Sequence, residues 1–292
     1  MIVRQLAVVS EVSEITPSDL ASLSAALQKQ ATRDFGPIWD VQATVDAFAK
    51  LEDVPLGYWP ILIQDDIGQP GALGIHLDKD NQPFALVSFA DGWQLTASHE
   101  ALEMLADPFG NRLVAGDSPK ADQGRVEFLV EVCDPSEAAQ FGYTVNGLTL
   151  SDFYTPSYFD PVQATGVRYS YTGAIKEPRS VLTGGYLSWH DPVSDDWWQE
   201  QFFGAAAQFV NLGKLTQKGQ SLRAQIDRLT AVASMKAMMA NKTDMQAAAR
   251  VYSQAIARPS ANKAQAWRRQ IEELKTAASE VGPTERRRPP KR

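Results

Sequence analysis

Hydrophobic and polar positions follow two alternating rhythms along the first third of the chain. Residues 2–9, IVRQLAVV, are aliphatic and β-branched and predict a buried strand. Thr16 or Ser18 can then cap a helix beside Pro17, and Leu20, Leu23, Ala26 and Leu27 recur at helical spacing through about Thr32. After the FGPIWD turn, VQATVDAFAKL predicts a second strand and GYWPILIQDD a third. ALGIHLDKDNQPFALVSF consists of two extended runs around the polar cluster DKDNQP, the pattern of a hairpin whose second strand closes at Asp91 and Gly92. From about Thr96 the rhythm is helical again, and it stops near Ala106 because Pro108 biases Asp107 away from helical geometry. Strand, helix, strand, strand, hairpin and helix in this order predict an α+β fold.

Beyond Asn111 the pattern weakens to loops and short strands as far as Asp160, with VEFLVEVCD the most apolar run. GVRYSYTGAI predicts a strand near 166–175, and WHDPVSDDWWQEQFFGAAAQFV reads as aromatic core, a polar loop and a helix-like end. After Gly213, Leu215, Leu222 and Leu229 recur every seven residues, Ile226 shares the face of Leu222, and Met235, Met238 and Met239 extend the apolar stripe. Helices are expected near 214–240, 244–257 and 261–280, and GPTERRRPPKR is too polar and proline-rich to pack. The expected organisation is a domain over 1–213, a basic helical region over 214–281 and a disordered basic tail over 282–292.

Composition sharpens this division. Over 292 residues the chain is 44% hydrophobic and 22% charged, which excludes a disordered or fibrous protein. Its net charge of −7 conceals 11 basic and 29 acidic side chains in residues 1–213, against 17 and 6 in the remainder. The two parts should attract one another or different partners. The RRRPPKR tail is a weak footprint for nucleic acid, anionic lipid or an acidic protein surface. A single cysteine, Cys133, excludes an internal disulfide and a thiolate zinc cage, and its apolar setting predicts a buried, inert thiol. The first residues do not read as a signal peptide, and no stretch of 18 apolar residues predicts a membrane span, so a cytoplasmic or virion-associated location is expected. Phosphate-binding glycine motifs and G-x-S-x-G are absent.

The segment that carries chemistry is TASHEALEMLADP. On a helix, His99 and Glu103 are separated by about 400° of rotation and project from one face, with Glu100 about 100° round from His99. Two metal ligands at i and i+4 with an adjacent glutamate as general base form the arrangement of a zincin helix, except that Glu103 stands where a second histidine is usual. A carboxylate can ligate Zn²⁺, and its charge shifts preference somewhat towards Mn²⁺ or Fe²⁺. A catalytic zinc needs a third protein ligand. Glu131, an acid inside the apolar run LVEVCD, is the first candidate, with Asp134 and Glu127 as alternatives. Asp107 either orients His99 or ends the helix. Tyr154 and Tyr158 are candidates for an oxyanion hydrogen bond or for the core. His76 and His190 read as ordinary surface or structural histidines.

The run SHEALEMLADPFGNR, with FGPIWD and GYWPILIQDD upstream and VEVCDP and SDFYTPSYFDP downstream, resembles a family of bacterial and phage-associated proteins sharing S-H-E-x-x-E-x-x-x-D-P. That family is similar to the wider group of zincin-like proteins carrying HExxE. The resemblance covers about residues 1–165, reaching at most to 210, and not the basic C-terminal part. It implies a zincin-like domain, a mixed sheet with an active-site helix, and a metallopeptidase activity.

Two functions are therefore expected to compete. The first is a metal-dependent hydrolase, a zinc metallopeptidase acting on a peptide or protein, with metal on His99, Glu103 and Glu131, Glu100 as base, and the hairpin strand 72–78 aligning the substrate. The second is a catalytically inactive zincin-like interaction protein of a phage particle or bacterial assembly.

Overall fold

Strand β1 (Val3–Ser10) sends Leu6 and Val8 into one hydrophobic cluster and Ala7 and Val9 into another, as a strand buried on both faces must. The computed structural model to which it belongs describes residues 3–69, 71–216, 220–230 and 269. Helix α1 (Pro17–Lys29) starts from a reciprocal cap in which Thr16 and Asp19 satisfy each other's backbone amides. It runs on without a break into a π-helical turn (Gln30–Phe35) and the short α2 (Gly36–Trp39), past the expected end near Thr32. Strands β2 (Gln42–Ala47), β3 (Trp59–Gln64), β4 (Gly74–Lys79) and β5 (Gln82–Ser88) complete a five-stranded sheet in the order β2-β1-β3-β5-β4. Its first four members are parallel, and β4 lies antiparallel to β5 at the edge, which makes the expected hairpin.

Helix α3 (Trp93–Ala106) begins three residues before the expected Thr96, capped by Gly92, whose φ of 82° a side chain would resist. It packs on the same face of the sheet as α1 through Ala97, Ala101, Leu102, Met104 and Leu105. The opposite face is closed by a smaller cluster in which Leu51, Val54 and Ile67 cover Leu62, Ile75, Phe84 and Leu86.

The rest of the described chain is mainly β. Strands β6 (Leu113–Asp117), β7 (Arg125–Leu129), β10 (Tyr186–Asp191), β11 (Asp196–Gln201) and β12 (Gln208–Gly213) form an antiparallel sheet in the order β12-β11-β10-β7-β6, and β8 (Tyr143–Val145) pairs with β9 (Leu148–Leu150). Two expectations are corrected here. The helix-like end after WHDP is the hairpin and third strand β10-β11-β12, in which Trp197 and Gln199 point inward at strand period. The strand expected near 166–175 is irregular chain touching Tyr154 by one bridge at Ser170, with Gly166 and Gly173 in left-handed conformation.

The chain is thus a mixed α and β protein, rich in sheet. Among the described residues no helix is long and apolar enough to cross a membrane. Of the expected C-terminal helices, residues 222–230 are helical, and Ile226 packs with Leu129 and Trp197, flanked by Leu215 and Leu222. Leu229, expected on the same seam, is 55% exposed. The helices expected near 244–257 and 261–280, the methionines at 235–239 and the tail 282–292 lie outside the described residues, apart from the helical, exposed Arg269.

Candidate metal centre

Helix α3 turns its polar stripe away from the sheet core, towards a chamber closed by β4 and by the chain that continues from β7. His99 Nε2 lies 3.3 Å from Glu103 Oε1, as the i,i+4 spacing requires, and 2.9 Å from Asp134 Oδ1. The contact to Asp134 is close but not aligned as a hydrogen bond, because Asp134 Oδ1 has no such partner. Asp134 opens a single 3-10 turn (Asp134–Ser136) after Cys133, whose backbone N–H donates to Glu103 Oε1 at 3.2 Å. The thiol of Cys133 is buried and points at the His99 carbonyl, 3.8 Å away.

A second group adjoins the first through Glu103. His76 Nδ1 stands 3.6 Å from Glu100 Oε2 and 3.9 Å from Glu103 Oε2, while its Nε2 donates to the Asp107 carbonyl at 2.9 Å. Asp107 therefore orients His76 through its backbone, not His99 through its carboxylate, and its own Oδ2 accepts from the Arg112 amide at 2.7 Å. Gly74, on the same face of β4 as His76, leaves the room that Glu100 occupies: a Cβ there would lie 2.5 Å from Glu100 Oε1.

Glu131, the first candidate for third ligand, is buried in the same chamber with neither carboxylate oxygen hydrogen-bonded. The charge facing it is Arg223 Nη1, 3.8 Å from Glu131 Oε1, while Asp134 is the acid beside His99. Glu127 lies elsewhere, paired with His190 on the second sheet at 3.0 Å. Tyr154 is fully buried with its hydroxyl unpartnered, and the charges of Glu131, Glu103 and Asp134 add to burial in raising its pKa. Tyr158 stacks on Tyr154 with ring centroids 4.4 Å apart and donates its hydroxyl to the Ser180 carbonyl, so it belongs to the packing behind the site.

Sequence reasoning missed His76, Arg223 and Glu137, which joins His99 and Asp134 in one cluster. His76 carries a faint signal, since residues 74 and 76 share the α3 side of β4 while Ile75 and Leu77 face the other cluster. Arg223 carries none. Its guanidinium is buried and Nη1 bonds Glu103 Oε2, with Asp134 Oδ2 at 3.9 Å and Asp227 Oδ2 3.5 Å from its Nε.

These charges set the protonation of the chamber. Burial raises the pKa of Glu103, but Arg223 and then His99 overcome it and pull the group down to about 2. Burial also works against a charged His99, yet Glu103, followed by Cys133 and Asp134, holds the imidazole well above its ordinary value. Glu131 and Asp134 are pushed up, first by burial and then by each other's neighbourhood of acids. Glu137, close to His99 and Asp134, rises to about 8 for the same reasons. The chamber holds more acids than its cations neutralise.

A divalent cation fits this donor set. Imidazole nitrogen and carboxylate oxygen suit Zn²⁺ and Mn²⁺, and the donor atoms converge within 4.8 Å in three overlapping groups: His99 with Glu103 and Cys133, His99 with Asp134 and Glu137, and His76 with Glu100 and Glu103. Buried and without hydrogen-bond partners, Glu100 Oε2, both oxygens of Glu131, both of Asp134 and His76 Nδ1 leave an accounting gap that a cation would close. Fold and site together define a mixed α and β protein with a buried histidine and carboxylate cluster able to hold a metal. Set against known protein families, curated proteins and solved structures, the chain matches none.

Proposed function

We propose that the chain is a zincin-like metal-dependent hydrolase, a zinc metallopeptidase, with a basic helical region following its catalytic domain. The observation that carries this reading is His99 Nε2 standing 3.3 Å from Glu103 Oε1 and 2.9 Å from Asp134 Oδ1 on and beside one helix. His99 and Glu103 would hold the ion with an acid from the segment after β7, where Asp134 stands nearest His99 and Glu131 is the second available. When bound, the ion supplies Lewis acidity to a water or a carbonyl. Glu100 handles the proton: its unpartnered Oε2 takes it from the attacking water and returns it to the leaving amine. His76 Nδ1 faces the same oxygen from β4 at 3.6 Å. Tyr154 keeps a free hydroxyl for a developing oxyanion. The sheet ends at β4, whose outer edge offers backbone groups to an extended peptide by strand addition. The S-H-E-x-x-E-x-x-x-D-P resemblance supports the same reading.

Metal content tests it. Equilibrium dialysis of the full chain against Zn²⁺ or Mn²⁺ should give stoichiometric binding that is lost in His99→Ala and in Asp134→Ala. A folded protein that takes up neither ion, in the parent and in Arg223→Gln alike, would overturn the proposal. That result would favour a second reading, for which Arg223 speaks: an inactive interaction protein of a phage particle or bacterial assembly, with a guanidinium permanently neutralising Glu103.

A further inference from the structure

Arg223 reaches the chamber from far along the chain, 120 residues beyond the glutamate it bonds. Its backbone N–H donates to the Gly110 carbonyl at 3.0 Å, and the amide of Leu222 donates to Asn111 Oδ1 at 2.9 Å, so the start of the 222–230 helix is pinned to the turn after α3. Gly110, at φ 59°, makes the approach possible: a Cβ on it would lie 3.0 Å from Arg223 Cβ. The apolar footing is small. Ile226 meets Leu129 and Trp197 in a cluster separate from the main core.

The guanidinium neutralises the chamber incompletely. A permanent arginine counterion normally forks two nitrogens onto one carboxylate. Here one nitrogen bonds Glu103, the acids Glu131 and Asp134 stand at 3.8 and 3.9 Å from it, and Nε has no hydrogen-bond partner. The carboxylate it takes is the one shared by both histidine groups, at Oε2, while Oε1 faces His99. A cation on His99 and Glu103 and a guanidinium on Glu103 would be like charges on one buried carboxylate, where the low dielectric screens them little.

We propose that Arg223 is an internal competitor for the metal: with the 222–230 helix seated the centre is closed, and ion binding and seating exclude one another. The inference rests on the reading of the chamber as a metal centre. It makes the described part of the basic C-terminal region an autoinhibitory element of the site.

The test is Zn²⁺ affinity of the full chain, measured by competition with a chromophoric chelator, in the parent, in Arg223→Gln and in Ile226→Asp. The second variant leaves the guanidinium intact and removes its footing, so the result does not depend on one substitution. Hydrogen exchange at the amides of 222–230 is followed in the parent with and without Zn²⁺. Affinity should rise at least about tenfold in both variants, a free-energy gain of about 1.4 kcal/mol, and saturating Zn²⁺ should speed exchange across 222–230 in the parent. Equal or weaker affinity in the variants, with exchange unchanged, overturns the competition and leaves the metal centre standing. Absence of Zn²⁺ binding in all three proteins overturns the metal centre and the competition together.

Discussion

The two nitrogens of His76 face different chemistry. Nε2 is spent on the Asp107 carbonyl, which fixes the ring and leaves Nδ1 towards Glu100 and Glu103. Burial works against a charged Glu100, but His76 and then Arg223 outweigh it and keep the Glu100 pKa below the usual value. Such a group is ionised at neutral pH, the form a general base needs, but its lowered pKa makes it a weaker base than one tuned near neutrality. Glu100→Gln should keep the fold and the bound metal, because the amide matches the carboxylate in shape, yet lower any peptidase rate by about 10²–10⁴. Single-turnover cleavage of a peptide library by the metal-loaded protein checks it, and an undiminished rate would place the base elsewhere. At this scale the sequence was legible where one helix converts interval into direction, as for His99, Glu100 and Glu103. It was legible as a short list for the third acid, where Asp134 stands beside His99 and Glu131 faces Arg223. His76 and Arg223 depend on how separate elements meet, and no periodicity encodes that.

Among the elements, the parallel strands and α3 announced themselves through runs of β-branched residues and a helical stripe of apolar ones. The second sheet did not. Residues 196–201, DWWQEQ, alternate inward Trp197 and Gln199 with Trp198 and Glu200, but polar residues on both faces hide the strand rhythm, and the alanines that follow suggest helix. Glu200 gives this sheet a pH signature. Burial alone pushes its pKa from 4.5 up to about 7. Below 4.5 the group is protonated folded or unfolded and contributes nothing. As pH rises from there to about 7 the unfolded chain releases its proton first, so stability falls, and above that range the deficit is constant. Glu200→Gln should flatten this slope and raise stability at pH 8 by about 2–3 kcal/mol. Urea unfolding at pH 4 and pH 8 measures the difference, and an unchanged slope would show that Glu200 is solvated in the folded state.

For the whole molecule, the division between an acidic and a basic part, plain in the residue counts, becomes one contact of consequence: a basic residue from beyond Gly213 inside the acid chamber of the domain before it. Because Glu131 and Asp134 are raised, and Glu137 and Asp227 titrate near about 8 and about 6, metal uptake should expel protons. Zn²⁺ affinity should therefore climb between pH 6 and pH 8, and calorimetric heats should vary with the ionisation enthalpy of the buffer. A pH-independent affinity with buffer-independent heat would mean that these acids are already ionised.

The separation of 120 residues between Glu103 and Arg223 also has a consequence in time. A ribosome adding about 5–20 residues per second takes roughly 6–24 s to cross it. Once Asp134 has been added, the nascent chain carries His99, Glu103 and Asp134 but not yet the guanidinium. On the proposed competition, an ion supplied during translation meets the donors before their internal competitor exists.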